Sequence, residues 1–171
     1  PEDALVSSHN LSIDTVTGHA YVLNSDGSRI LILSLANPIA PEVVSSIEVG
    51  DSHDVYAHNG RAYIAEGRQP FISIWDTTDP TTPTLLSKVQ VPDAGYVHNV
   101  WPSDDGRFML TTEETADKTV KMWDISDLEN PTMLGEWLGA NRIAHNVHIQ
   151  GRYAFLSHYT AGLYVLDISD P

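Results

Sequence analysis

The chain of 171 residues contains no cysteine. Thiol nucleophiles, thiolate metal ligands and disulfides are excluded together, so any metal site must be built from histidine and carboxylate. Basic residues are scarce: nine Lys and Arg stand against 23 Asp and Glu, a formal charge of -14. A surface of that sign repels phosphate backbones and anionic headgroups, and nucleic acid is not expected as a partner. Long apolar runs are missing as well. Nothing approaches the roughly 18 residues of a membrane helix, so no membrane span is expected in this chain. Residues 1 to 10 carry neither the basic nor the apolar part of a secretory leader. Charged residues reach only 19% and hydrophobic ones 42%, a composition that builds a core and excludes a disordered acidic segment. No stretch keeps a helical period, which leaves an all-β chain.

What the chain does have is a repeat. The phrases SHNLSID at 8–14, SHDVYAH at 52–58, VHNVWPS at 97–103 and AHNVHIQ at 144–150 each set a histidine before Asn or Asp and then an aliphatic residue. His9, His53, His98 and His145 follow one another at 44, 45 and 47 residues. Further on in each unit comes a strand-like run: RILILSL from Arg29, FISIWDT from Phe71, TVKMWDI from Thr119 and GLYVLDI from Gly162. Pro-containing breaks and one more strand follow, as in NPIAPEVVSSIEV and DPTTPTLLSKVQV. Glycine turns at 15–19, 58–61, 103–107 and 149–152 join the first two strands of each unit.

Each unit therefore reads as four short antiparallel strands, A to D, the signature of a β-propeller blade. A β-sandwich would fill the same length but has no reason to repeat one phrase at near-constant spacing. Residues 1–171 are expected to form a single propeller domain or a fragment of one, with three full blades and strands A, B and C of a fourth. About four blades is the lower limit for a closed ring, so a section of a larger propeller is expected. Its open blade edges would then be available to a protein or surface partner, unless residues 1–7 serve as the missing strand.

The phrases LILSLANP, ISIWDTTDP, VKMWDISDLENP and LYVLDISDP resemble the LVIVD repeat. The stretches SHNLSIDTVTGHAYVLNSDG, HNVWPSDDGRFMLTTEET and HNVHIQGRYAFLSHYTAGLYVLDISDP are similar to successive segments of choice-of-anchor B domains, bacterial propellers built from LVIVD repeats. The resemblance implies a secreted or cell-surface bacterial protein and supplies no reaction. A histidine opening the inner strand also resembles, more distantly, the metal-binding propellers of the selenium-binding and methanethiol oxidase type.

Strand A lines the channel of a propeller, so its first residue lies near one mouth. Hairpin register sets His53 opposite Glu66 and His145 opposite His158 at 13 residues, and His9 opposite Asn24 and His98 opposite Glu113 at 15. Neutral imidazoles and carboxylates converging at the mouth suit a divalent transition metal such as zinc, iron or copper. His9, His53, His98, His145, Glu66, Glu113 and His158 are the candidate ligands, and Asn10, Asp54, Asn99, Asn146 and Glu114 the candidate groups that orient or bind a ligand. Unperturbed imidazoles would release such a metal below about pH 6. Two other readings stand beside this one: the histidines fix the turns between blades, or they line a polar pocket without metal. His58 and His148 read as packing or turn residues, His19 as the start of a strand, and Trp75 and Trp123 as packing between blades. No GxSxG elbow, phosphate loop or HExxH is present, and the SDDG and NSDG turns lack the calcium-loop pattern. A binding or scaffold module is the expected function, with a metal-dependent enzyme as its alternative.

Overall fold

A computed structural model of the chain describes residues 7–24, 28–140 and 142–169. The first sheet has the order β1 (Leu11–Asp14), β2 (His19–Leu23), β3 (Arg29–Ser34), β4 (Glu42–Glu48). The second runs β5 (Asp54–His58), β6 (Arg61–Ala65), β7 (Phe71–Asp76), β8 (Thr84–Gln90). The third runs β9 (Val97–Pro102), β10 (Phe108–Glu113), β11 (Val120–Asp124), β12 (Thr132–Trp137). The fourth contains three described strands, β13 (Val147–Gln150), β14 (Tyr153–His158) and β15 (Gly162–Asp167), with a 3-10 turn at Tyr159–Ala161 before the last. All neighbouring strands are antiparallel, and no α-helix occurs among the described residues. The fold is a β-propeller of the expected all-β class. A fourth-blade strand supplied by residues 1–7 falls largely outside the described residues.

Local chemistry explains the blade. Asn59 and Gly60 have φ of +48° and +70°, the left-handed pair of a tight hairpin whose twist matches its strands. The third and fourth strands of each complete blade slip register at one repeated place, after Ile32, Ile74 and Met122. A bulge there sharpens the twist of the outer edge.

Alternation of side chains puts an apolar face on both sides of a sheet, and the blades stack through these faces. Tyr21, Leu23, Ile30 and Ile32 of the first blade pack on Val55, Ala57 and Ile64 of the second, with Trp75 against the edge of the cluster. Ile72 and Ile74 of the second blade pack on Val97, Val100, Met109 and Trp123 of the third. Leu110, Val120 and Met122 of the third pack on Val147, Ile149, Ala154 and Leu156 of the fourth. The Trp123 indole N–H donates to the Thr111 hydroxyl at 3.0 Å, and that of Trp75 to Ser73 at 3.1 Å. The two tryptophans thus lie in the contacts between blades, as their shared repeat position suggests. Inner strands β1, β5, β9 and β13 adjoin in succession about the axis.

Full burial of each such side chain contributes about 1.5–3 kcal/mol. Ile72→Ala is therefore expected to cost about 2–5 kcal/mol in urea unfolding. Ile39→Ala, at a turn residue 93% exposed, should stay within about 0.5 kcal/mol of wild type. Equal effects of the two would remove Ile72 from the stabilising core.

Candidate functional site

The residue entering each inner strand brings its imidazole to the axis. His9 and His53 have ring centroids 4.8 Å apart, His53 and His98 4.2 Å, and His98 and His145 4.1 Å. The rings are tilted by 41° to 51°, so the four histidines form one continuous row crossing four blades. Tyr96 stands edge-on to His53 at 5.1 Å, and Tyr159 edge-on to His145 at 5.3 Å. His53 Nδ1 lies 3.0 Å from the carbonyl oxygen of His98. A carbonyl only accepts, so this nitrogen carries the proton in neutral His53 and Nε2 keeps its lone pair.

His98, in the middle of the row, is buried, whereas His53 and His145 are partly open and His9 is exposed. Burial, and secondarily the neighbouring imidazoles His53, His145 and His9, push its pKa down to about 3. Its ring therefore remains neutral far below the pH 6 expected of a free imidazole. The free chain protonates this histidine below 6.5 and the folded one only near 3, so folding weakens as pH falls through that window.

Among the described residues, one group of potential metal ligands converges: His98, Glu114 and His145, with ligand atoms within 4.8 Å of one another. His98 Nε2 is 3.5 Å from the Glu114 carboxylate. Two ligand atoms, each about 2.1 Å from one tetrahedral ion, stand roughly 3.4 Å apart, so this edge already has the required span. The Tyr159 hydroxyl donates to the other Glu114 oxygen, and the Glu114 N–H donates to the Tyr96 carbonyl at 2.9 Å.

The remaining candidates are placed elsewhere. Pairing of β9 with β10 slips between Thr112 and Glu113, so Glu113 faces Val97 instead of His98. The register expectation for Glu113 fails on that bulge. Its carboxylate turns into the blade, where it accepts from the buried Lys121 ammonium and from the Gly95 N–H. Gly95 must be glycine for this approach, since a Cβ there would stand 2.5 Å from Thr115. Glu66 is buried and paired with Lys88 at 2.6 Å. His158 is buried edge-on to Tyr164 at 5.3 Å and to Trp137 at 6.1 Å, between the third and fourth blades. The buried Asn24 donates its backbone N–H to Arg29 O, at the start of β3. The carboxylate actually next to the row, Glu114, is one residue past the one that hairpin spacing selects.

Below the histidines runs a belt of hydrogen bonds. Asn10 and Asn99 each donate a side-chain N–H to a different oxygen of Asp54, and Asn99 Oδ1 accepts the Val147 N–H at 2.9 Å. The belt ties the four blades together at the axis. Asn146 is exposed, and its backbone carbonyl accepts from Ser157. Burial raises the Asp54 pKa to about 6 against the pull of Asn99. Beyond the belt, Trp101 lies 4.5 Å from Tyr56 and 4.2 Å from His148, forming an aromatic wall. His58 ends β5 at the hairpin and His19 opens β2. A cavity of about 620 Å³ on the axis is lined by Asn10, Asp54, Asn99, Tyr56, Trp101 and His148, among others.

Comparison with known proteins adds to this geometry. Residues 141–171 match the LVIVD repeat. The nuclear distribution protein PAC1 of Arthroderma otae is 36% identical over 81 residues, and that of Trichophyton verrucosum 37% over the same length. The aligned part is 45% of this chain but 16% of each relative, so the chain spans a small part of their length. The solved Nidogen/Laminin complex superposes with a TM-score of 0.69 at 12% identity, over 96% of this chain and 61% of that one. The computationally designed Ika4 protein superposes with a TM-score of 0.68 at 12% identity, over 96% of each chain. At such identity the likeness carries the propeller fold alone.

Asp54→Ala leaves the amides of Asn10 and Asn99 without their acceptor, at a cost of about 1–3 kcal/mol. Folded Asp54 ionises near 6 and the free residue near 3.8, so its contribution is full below 3.8 and falls as pH rises through 6. The stability difference between wild type and Asp54→Ala, from denaturant melts at pH 3.5 to 7, should shrink accordingly. A difference that grows with pH would contradict the buried, proton-retaining carboxyl.

Proposed function

We propose that this chain is a propeller binding and scaffold module whose channel mouth holds a divalent transition metal between His98, His145 and Glu114. The single observation carrying the reading is the approach of those three ligand atoms to within 4.8 Å of one another. The chemistry of the set fits. His98 is held neutral, so protons do not compete for it in the ordinary pH range, and Glu114 supplies a negative oxygen that Tyr159 orients. Zinc, iron and copper all accept two imidazoles and a carboxylate. His9 and His53 extend the row beyond this group and serve as wall, with Asn10, Asp54 and Asn99 as the frame that fixes its spacing.

The site belongs, on this reading, to a secreted or cell-surface bacterial protein of the choice-of-anchor B kind. The LVIVD match in the fourth blade and the related phrases in the first three support the repeat itself, and the placement rests on the resemblance of those phrases. A second reading, a metal-dependent enzyme, is favoured by the small ligand number. Two imidazoles and one carboxylate leave a position for water or a small substrate, beside the exposed ring of Tyr159.

Zinc or copper titrated into the purified chain by calorimetry should bind at about one ion per chain. His98→Ala or Glu114→Gln should each weaken binding about tenfold or more, and His9→Ala should leave it close to wild type. Binding indifferent to His98 and Glu114, or none in the wild type, would leave the histidine row an architectural feature. Turnover of a test substrate by the metal-loaded chain would move the account to the enzyme.

A further inference from the structure

The inner strands carry a second tier of side chains that the metal at the mouth does not use. The third residue after each row histidine is Ser12, Tyr56, Trp101 or His148. Strand alternation sets it on the same face as the belt residue two places earlier, and at about 3.3 Å per residue the two tiers lie roughly 7 Å apart. Both tiers line the axial cavity of about 620 Å³, a volume within the roughly 300–1,000 Å³ of small-molecule sites. The aromatic tier is held by contacts inside the chain, through β5, β9 and β13. Tyr56 and Trp101 have ring centroids 4.5 Å apart at a tilt of 56°, and Trp101 and His148 4.2 Å at 45°.

The charge of this cavity has one sign. Asp54 lines it at 5% exposure, and no Lys or Arg does. Burial, and after it the charges of Asp104 and Asp14, hold the Tyr56 phenol above its ordinary pKa, so the aromatic tier lies in a negative field. The belt amides are already engaged. Asn10 donates to Asp54 and accepts the Leu11 N–H at 2.7 Å, and Asn99 donates to Asp54 and accepts the Val147 N–H at 2.9 Å. What the cavity still offers a ligand is negative charge and aromatic surface, not a set of open hydrogen-bonding groups. We propose that it takes a small organic cation, a substituted or quaternary ammonium, with the charge between the Asp54 carboxylate and the rings of Tyr56 and Trp101. An ammonium group is drawn to an aromatic face within about 6 Å, and alkyl groups on the nitrogen remove its need for hydrogen-bond acceptors. A sugar, by contrast, depends on the free donors and acceptors that the belt has spent. The site draws on none of His98, His145 and Glu114, so it stands or falls apart from the metal.

Choline titrated by calorimetry into the chain, kept free of metal by a chelator, is the test. It should bind at about one per chain, and its neutral analogue of the same shape, 3,3-dimethylbutan-1-ol, about tenfold more weakly or worse. Trp101→Leu should weaken choline binding roughly five- to thirtyfold, and Asp54→Asn about tenfold or more. In the nitrogen–proton NMR spectrum, the indole resonance missing from Trp101→Leu should be the one that choline moves in the wild type. Melting temperatures check that each variant is folded; should Asp54→Asn unfold, the comparison of choline with its neutral analogue on the wild type reads the charge instead. No choline binding would overturn the proposal. So would equal binding of the neutral analogue, choline binding indifferent to Trp101→Leu, or glucose bound where choline is not, which would make the cavity a sugar site.

Discussion

Blade-on-blade packing is the constraint from which the rest of this structure follows. A single four-stranded blade has apolar residues on both faces and cannot bury either alone. Stacking at a repeat of 44 to 47 residues buries Ile32, Ile74 and Met122 in turn, and it fixes the distance between successive inner strands. The histidine entering each inner strand is thereby carried to within 4.1 to 4.8 Å of its neighbour, ring to ring. The row is a by-product of core packing, and its chemistry comes from how unequally the packing covers its members.

That inequality is local. His98 lies deep in the row between two other imidazoles, and burial withholds its proton. The same low polarity raises Asp54, which persists because two asparagine amides converge on its two oxygens. One group gains stability with rising pH and the other loses it, so the axis balances two opposed titrations on adjacent blades. A metal at His98, His145 and Glu114 would draw on the neutral imidazole without the cost of first removing a proton.

The fold was largely legible in the sequence, because a phrase repeated four times with glycine turns between its strands reports the blade directly. Site composition was legible only in part. Hairpin spacing selects Glu113 as the partner of His98, but the buried Lys121 on the adjoining strand β11 draws that carboxylate inward and a bulge passes the task to Glu114. A lysine inside the apolar run TVKMW was the available signal, since a buried ammonium needs a carboxylate. Tyr96 and Tyr159 escaped notice because both sit outside the repeated phrases, one before β9 and one in the turn after β14. Glu66 and His158 obeyed the spacing and still turned to Lys88 and Tyr164, for register fixes a position on a strand and not the partner a long side chain reaches.

X-ray absorption at the metal edge of the loaded protein tests the central claim most directly, because it reads the ligand atoms themselves. The account predicts two imidazole nitrogens and at least one oxygen at about 2.0–2.2 Å, with the imidazole scattering reduced by one in His98→Ala. An all-oxygen shell, or an imidazole signal unchanged by that substitution, would contradict it and place the metal on the acidic surface.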